Sequence, residues 1–598
     1  MNPPRGFWRN VALAWLAIAA ILIVRTSSAI HSFALADPDD VLRLVQVRDL
    51  LAGQGWFDLH QYRIDPPTGV ATHWSRLVDG PLALTIMLLR PVVGQASAEL
   101  AAAVIVPLLT LLCAILLTAR LALKLYGPRA AYAGCLVWIM AITPLTQLQP
   151  MRIDHHGWQI VAVLAALNGA LAANARRGGW LIGAALALGM AISLELLPFT
   201  ALFAAVLGLR WLRNAAASGW LVHMLSALAL TSAGSYLATR GLVGDAHCDT
   251  VSPGYLAGLV LAAALVTAIA ALKSPSRTVL AMLLAGSALL VGALYLTLSP
   301  QCFAGPFGAL DPLVRHVWYN NVLEGMPVWR QDFPTTIQMI VPPLVGLAVA
   351  AISWWHAAAE RRALLGDLAI LLSGVLGIAL LVSRFSAVAT AIAVVPLGFA
   401  ISEALRRASA LRPSLRVLML PLILLTLLPG YAAGQIRNRI APPPAAAQAP
   451  GPDLGHGCGL PGSLPALHAI PQATLFAPFE VSPALLLDTR HKVIATGHHR
   501  AAAAMHDVIA AFVIPPAPAE SIVRRHGADY VLVCSDLIEA HNYQLFAPQG
   551  LMAELLAGRT PDWLEPVALA SGAGTLRLYR VKPRAQPGLN SIASPSMQ

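Results

Sequence analysis

The sequence predicts a polytopic α-helical membrane protein of about thirteen transmembrane helices that ends in a small extracytoplasmic α/β domain. Three observations predict it. First, 57% of the 598 residues are apolar and 12% are charged, about half the charged share of an ordinary soluble chain, and the mean hydropathy is +0.67. Second, the apolar residues gather into runs of roughly the 20 residues that a bilayer span needs. Third, basic residues recur in short clusters between alternate runs, which is the positive-inside pattern. The 40 Lys and Arg against 29 Asp and Glu give a net charge of +11. No basic stripe with interleaved aromatics accompanies that excess, so it points to membrane topology and away from nucleic acid.

The predicted spans are 8–28, 99–123, 130–148, 157–174, 179–195, 197–212, 218–239, 254–272, 277–298, 335–356, 363–383, 385–404 and 414–432. The first is expected to be an uncleaved helix with its N-terminus in the cytoplasm, because no small-x-small cleavage site follows its long apolar core. With the N-terminus inside, every inside loop carries at least two basic residues, for example Arg120/Lys124/Arg129 and Arg361/Arg362. The outside segments are then 30–98, 149–156, the turn near Leu196, 240–253, 299–334, Ser383–Phe385 and everything after about 433. The run Pro81–Val93 is too short to span and reads as an interfacial helix. Cys113 and Cys135 fall in spans and read as packing residues, whereas Cys248, Cys302, Cys458 and Cys534 fall outside, where disulfides persist. Cys248–Cys302 with Cys458–Cys534 is one of the three connectivities open to four cysteines. The expected location is a bacterial-type inner membrane, with the C-terminal domain periplasmic.

A Pro/Ala/Gly-rich linker occupies 433–457 and a disordered tail 584–598. Between them, 458–583 alternates β-rich runs (ATLFAPF, KVIATG, ADYVLVCS, TLRLYRV) with helical patterns (SPALLLDT, AAAAMHDVIAAF, AESIVRRHG). That alternation predicts a mostly parallel sheet.

The residues with chemistry collect on the outside. Asp37, Asp39 and Asp40 follow the first span, and Asp65, His73, Trp74 and Asp79 follow them in the same loop. The turn MRIDHHGW holds Asp154, His155 and His156; VLEGMPVW holds Glu324; SRF holds Arg384. Carboxylates with an imidazole suit a divalent cation such as Mg²⁺ or Mn²⁺, and a nearby Arg suits a phosphate. Each residue has a plainer reading. Asp37, before Pro38, can cap the helix that starts beside it. Asp39, Asp40, Arg43 and Arg48 read as a helix start, a solvated face or ion pairs. Arg384 can be an interfacial arginine, and Glu324 an ordinary loop carboxylate. Glu195, in the apolar run SLELLPF, can pair with an Arg or line a cavity. TGHHR (496–500) reads as a loop or an acceptor contact.

DPDDVLRL after the first span, then GVATHW, then DHH after the third span, resembles the catalytic subunit of bacterial and archaeal oligosaccharyltransferases, members of the GT-C class of membrane glycosyltransferases. Glu324 in a late loop and Arg384 near a late span fit the same pattern in order. The resemblance implies a GT-C fold over roughly 1–432 and a polyprenyl-phosphate-linked sugar donor. It also implies a metal held by Asp37, Asp154 and His156, Arg384 on the donor phosphate, and Asp37 and Glu324 acting on the acceptor with inversion. His73, Trp74 and His155 are expected substrate contacts. The WWDYG motif of the protein-modifying members is absent after residue 433, so a glycan, lipid or protein acceptor is expected. The alternatives are transfer to protein Asn through a diverged sequon pocket, a lipid-linked sugar transporter or flippase, and a structural membrane protein.

Overall fold

The structure is a computed structural model that describes residues 3–242, 247–272, 275–308, 310–408, 419–440, 458, 460–569 and 575–584. The chain divides into two compact units. The first comprises Met1–Leu59, His73–Ala309 and Asn320–Pro444; the second comprises His60–Thr72, Leu310–Tyr319 and Ala445–Gln598.

The helices along the first part of the chain are α1 (Phe7–Arg25), α2 (Ser27–Ser32), α3 (Pro38–Leu51), α4 (Arg76–Val93), α5 (Gln95–Tyr126), α6 (Pro128–Met140), α7 (Ile142–Thr146), α8 (His156–Ala170), α9 (Ala175–Ile192), α10 (Leu197–Arg213), α11 (Ser218–Arg240), α12 (Pro253–Ala270) and α13 (Arg277–Leu298). They continue as α14 (Pro312–Val317, in the second unit), α15 (Phe333–Trp355), α16 (Ala359–Leu381), α17 (Ser386–Ala408), α18 (Met419–Leu427) and α19 (Pro429–Ile440). Among the described residues, nine helices are long and apolar enough to cross a membrane. The other four predicted spans correspond to α6–α7, α8, α9 and α18–α19. The predicted span 130–148 breaks at Ala141, and 414–432 bends at Leu428, just before Pro429. Residues 414–418 of that last span lie outside the described residues, as do 441–457 of the expected linker and 585–598 of the expected tail.

α17 is the best enclosed of the nine: every residue from Ser386 to Gly398 is buried. Its Ala and Gly residues let neighbours approach closely: a Cβ at Gly398 would meet the Ala130 carbonyl at 2.5 Å. At Gly183 on α9, an added Cβ would meet the Met224 carbonyl of α11 at 2.2 Å. A helix covers the run expected to be interfacial, but it starts at Arg76, not Pro81, with Ser75 accepting from the Leu77 N–H as its cap. Leu84, Met87, Leu88 and Val92 leave an exposed apolar face along it. Cys248 and Cys302 form a disulfide. Cys135 is buried as expected, whereas Cys113 is exposed on α5.

Of the two readings open for Arg43, a solvated face or an ion pair, the structure shows the ion pair: Arg43 is 1% exposed and donates to Asp79 Oδ1 at 3.0 Å. Gln46 and Arg76 both reach Asp79 Oδ2, at 2.6 and 3.1 Å, and the Arg43 guanidinium lies over the Trp74 ring, 4.7 Å from its centroid. A buried carboxylate thus clamps α3 to α4.

The second unit carries a five-stranded sheet. Its strands, after the hairpin β1 (His60–Gln61)–β2 (Val70–Ala71), are β3 (Thr474–Phe476), β4 (Lys492–Val493), β5 (Tyr530–Cys534), β6 (Leu564–Val567) and β7 (Leu576–Val581), in the order β4-β3-β5-β7-β6. β3 is parallel to β4 and β5, but β7 is antiparallel to both β5 and β6. The sheet is therefore mixed, not mostly parallel. The eight residues between Val567 and Leu576 are too few for a crossover, which takes a dozen or more. β6 escaped the sequence reading because Pro566 interrupts its pattern; as an edge strand it tolerates that proline. Residues 63–65 pair along the free edge of β4, with Val493 donating to Arg63 O at 2.9 Å and Asp65 donating to Val493 O at 3.0 Å. Arg500, from TGHHR, donates to the carbonyl oxygens of Ala71 and Thr72. Cys458–Cys534 closes the second disulfide.

Candidate active site

The site is built on one turn and the ends of several helices of the first unit. The turn MRIDHHG runs into α8. Met151 takes a left-handed φ of +70°, held by its N–H on Ala103 O at 2.9 Å and by its carbonyl, which accepts from Ala36 N–H at 3.2 Å. Such a conformation persists only where the surroundings fix it. Gly157 follows because a Cβ there would meet the Gln147 carbonyl at 2.8 Å.

Asp40 pins this turn to α3. It is fully buried, and its Oδ1 accepts the backbone N–H groups of Ile153 and Asp154 at 2.7 and 2.8 Å. Its Oδ2 lies 3.2 Å from Arg152 Nη1 and accepts from Asp37 N–H at 3.1 Å. This corrects the expectation of a surface role for Asp40. Asp37 is the N-cap of α3, accepting from the N–H groups of Asp39 and Asp40, and it also pairs with Arg152. Arg152 reaches Asp154 Oδ2 at 3.6 Å, so Asp37 and Asp154 share one guanidinium.

Asp154, His155 and His156 are each 5% exposed, and their ligand atoms lie within 4.8 Å of one another. His155 Nδ1 contacts Asp154 Oδ1, and His156 Nε2 is 3.3 Å from Asp154 Oδ2. Burial pushes the Asp154 carboxyl up, but His155, His156 and Arg152 outweigh it and hold the group well below the usual carboxylate range. Burial likewise opposes the charge on His155, and Asp154 overcomes it, lifting the ring to about 9. The protein around the Asp39 carboxyl, and then the charges of Asp154 and Glu324, push it up to about 7. Asp39 therefore belongs to the electrostatics of the cluster and is not merely a helix-start residue.

Arg384 lies in the turn between α16 and α17, and Glu195 in the turn between α9 and α10. Arg384 Nη1 donates to Glu195 Oε1 at 2.7 Å, and its Nη2 is 3.2 Å from Glu324 Oε1. Ser383 Oγ donates to the Glu324 carbonyl at 3.1 Å, fixing the late loop to the same turn. Of the predicted residues, Asp154, His155, His156, Glu324 and Arg384 thus come together, and Asp37 joins them through Arg152. His73 and Trp74 are engaged elsewhere: His73 Nδ1 lies 3.9 Å from Asp249 Oδ2, and Trp74 is buried beneath Arg43. The residues missed from sequence were Arg152, Asp40 and Gln159. Arg152, two positions before Asp154 in the same turn, was the legible one.

The donor set fits a cation. Asp154 Oδ2 is buried and accepts no hydrogen bond, two imidazoles flank it, and Asp39 adds negative charge nearby. A carboxylate with imidazole nitrogens is a ligand set for Mn²⁺, Zn²⁺ or Mg²⁺.

The sequence matches no protein-family model and no curated protein. Solved structures do match. An archaeal oligosaccharyltransferase, AglB from Archaeoglobus fulgidus in complex with an inhibitory peptide and a dolichol-phosphate, is 15% identical, with a TM-score of 0.67 over 98% of this chain and 75% of that one. The A. fulgidus oligosaccharyltransferase tethered to an acceptor peptide with the NVT sequon is 14% identical, with a TM-score of 0.58 over 92% and 72%. The same enzyme in complex with Zn and sulfate is 14% identical, with a TM-score of 0.57 over 91% and 70%. The likeness is one of fold: this chain shares the fold of these solved structures, with many long apolar helices and a small sheet-bearing unit.

Proposed function

We propose that the chain is an inverting glycosyltransferase that moves a sugar or oligosaccharide from a polyprenyl-phosphate-linked donor to an acceptor at the outer face of a bacterial inner membrane. The observation that carries this reading is the cluster Asp154–His155–His156 joined through Glu195 to Arg384 and Glu324, on a fold shared with enzymes solved with a dolichol-phosphate and with Zn and sulfate.

In this reading Asp154 and His156 hold a divalent cation, Mg²⁺ or Mn²⁺. Asp37, expected as a third ligand, instead caps α3 and pairs with Arg152, and supports the site from there. When bound, the cation neutralises charge on the phosphate or pyrophosphate that leaves the sugar. Arg384 grips the same leaving group: its Nε is buried without a partner and can donate to a phosphate oxygen. Two carboxylates balance Arg384, so the guanidinium is already aimed before the donor arrives. Glu324 is 40% exposed and accepts a hydrogen bond from the acceptor, orienting it for attack on the anomeric carbon opposite the phosphate. The donor is lipid-borne, which accounts for the membrane-embedded fold. The acceptor is a glycan, lipid or protein; the peptide-bound neighbours favour protein, and the missing WWDYG motif weighs against a sequon.

The transporter alternative wants charges buried within broken spans, whereas Glu195 and Arg384 stand in turns between helices. The test uses the purified full-length protein and a radiolabelled lipid-linked saccharide pool from its own membranes. Release of sugar from the lipid should require Mn²⁺ or Mg²⁺ and should fail in Asp154→Ala and Arg384→Ala. Turnover that is unchanged by EDTA and by both substitutions would refute the reading.

A further inference from the structure

We propose that Gln159 and Glu195 are positioning residues that fix the His156 ring as a cation ligand and keep Arg384 in register with it. The inference rests on the cation-site reading above. Gln159 stands three positions after His156 on α8, so both share one helix face. Its Oε1 is 3.1 Å from His156 Nδ1, and its Nε2 donates to Glu195 Oε2 at 2.9 Å.

The orientation follows from donor and acceptor chemistry. A carboxylate only accepts, so the Gln159 amide turns its NH₂ toward Glu195 and its carbonyl toward His156. His156 therefore carries its proton on Nδ1 and donates it to Gln159. That leaves the Nε2 lone pair free on the side of Asp154 Oδ2, 3.3 Å away, the oxygen that accepts no hydrogen bond. A metal-binding histidine typically donates its second ring N–H to a fixed acceptor, and loss of that acceptor lowers metal affinity about 10- to 100-fold.

The second oxygen of Glu195 accepts from Arg384 Nη1 at 2.7 Å, and Arg384 Nη2 is 3.2 Å from Glu324. An unbroken chain, His156–Gln159–Glu195–Arg384–Glu324, thus links the start of α8 to two inter-helix turns and the late loop. Glu195, a carboxylate in an otherwise apolar run, gains a role: it sets the Gln159 amide on one side and the guanidinium on the other. If Gln159 merely tied α8 to the neighbouring turn, its loss would lower stability and leave cation affinity alone.

Mn²⁺ titration of the full-length protein, read by electron paramagnetic resonance, tests this. Gln159→Leu should weaken binding by about 10- to 100-fold. Glu195→Ala should weaken it less, because Glu195 holds the Gln159 amide from behind and its Oε2 also faces His155 Nε2 at 3.9 Å. The exchange Gln159→Glu with Glu195→Gln keeps both hydrogen bonds of position 159: the carboxylate still accepts from His156 Nδ1–H, and only the 159–195 bond reverses, with the amide at 195 now donating; it should restore binding even if Gln159→Leu folds poorly. Asp154→Asn separates the two ideas. If the wild type binds no Mn²⁺, or Asp154→Asn binds as the wild type does, the cation site falls and the inference with it. If Asp154 matters but Gln159→Leu binds as the wild type does, or the exchange fails to restore binding in a folded protein, the positioning role is overturned and the cation site stands.

Discussion

Asp154 has a histidine on each of the next two positions and an arginine two before it, and all three turn toward its carboxylate. That density of charge was legible in MRIDHHGW, since a turn places residues two apart on one side. Glu324 and Arg384 were legible from the resemblance and from sharing a predicted membrane face. Asp39 was not: DPDD reads as a helix cap and a solvated first turn, and only the approach of the 151–156 turn distinguishes Asp37, which caps and pairs with Arg152, from Asp39, which faces Asp154 and Glu324. Gln159 was illegible because an amide in an apolar helix shows no charge. At this scale we expect Asp40→Ala to release the Ile153 and Asp154 amides. Each buried donor left unsatisfied costs about 1–3 kcal/mol, so thermal unfolding should show a clear loss; a melting temperature equal to that of the wild type would contradict the pinning role.

At the scale of elements, the α3–α4 clamp turns on one carboxylate. Asp79 serves both Arg43 and Arg76, and all three are buried. Removing the shared partner leaves two buried guanidinium groups uncompensated, so Asp79→Ala should destabilise by about 3–5 kcal/mol, measured by unfolding in detergent. A loss under about 1 kcal/mol, the size of an exposed ion pair, would mean that the clamp is solvated. In the second unit, Glu539 joins the helix Ile538–Phe546 to the end of β3, accepting from the Phe479 and Glu480 N–H groups at 2.9 and 2.8 Å and from the Tyr543 hydroxyl at 2.5 Å. Burial raises it from 4.5 to about 7, against the pull of Tyr543 and the Phe479 amide. The folded state therefore keeps a proton that the unfolded chain releases near 4.5. The stability from this group is full below pH 4.5, declines as pH rises toward 7, and is absent above, a change of about 3 kcal/mol. Glu539→Gln should flatten that decline in unfolding experiments between pH 4.5 and 7; an equal decline in both proteins would assign it elsewhere.

For the whole molecule, the sequence already carried the division into a multi-pass helical part and a C-terminal strand–helix alternation, because bilayer length and hydropathy leave strong marks. It did not carry the membership of the second unit. Residues 60–72 and 310–319 group with the C-terminal sheet and not with the helical unit on either side of them in sequence, and such long-range pairing leaves no local pattern. Each disulfide stays within one unit: Cys248–Cys302 spans 54 positions and Cys458–Cys534 spans 76. Chain-entropy arguments give about 4 kcal/mol for loops of this size, so reduction should lower the unfolding midpoint substantially, and an unchanged midpoint would show that the bridges add nothing.

The central claim is that Asp154 and its neighbours transfer sugar from a lipid-linked donor. Its most direct measurement is mass spectrometry of glycans, lipids and envelope proteins from cells that carry either the wild-type chain or Asp154→Ala at equal abundance. The account predicts that one glycan-bearing product disappears in Asp154→Ala cells while a polyprenyl-phosphate-linked sugar accumulates. Identical glycan and lipid profiles in the two strains would contradict it.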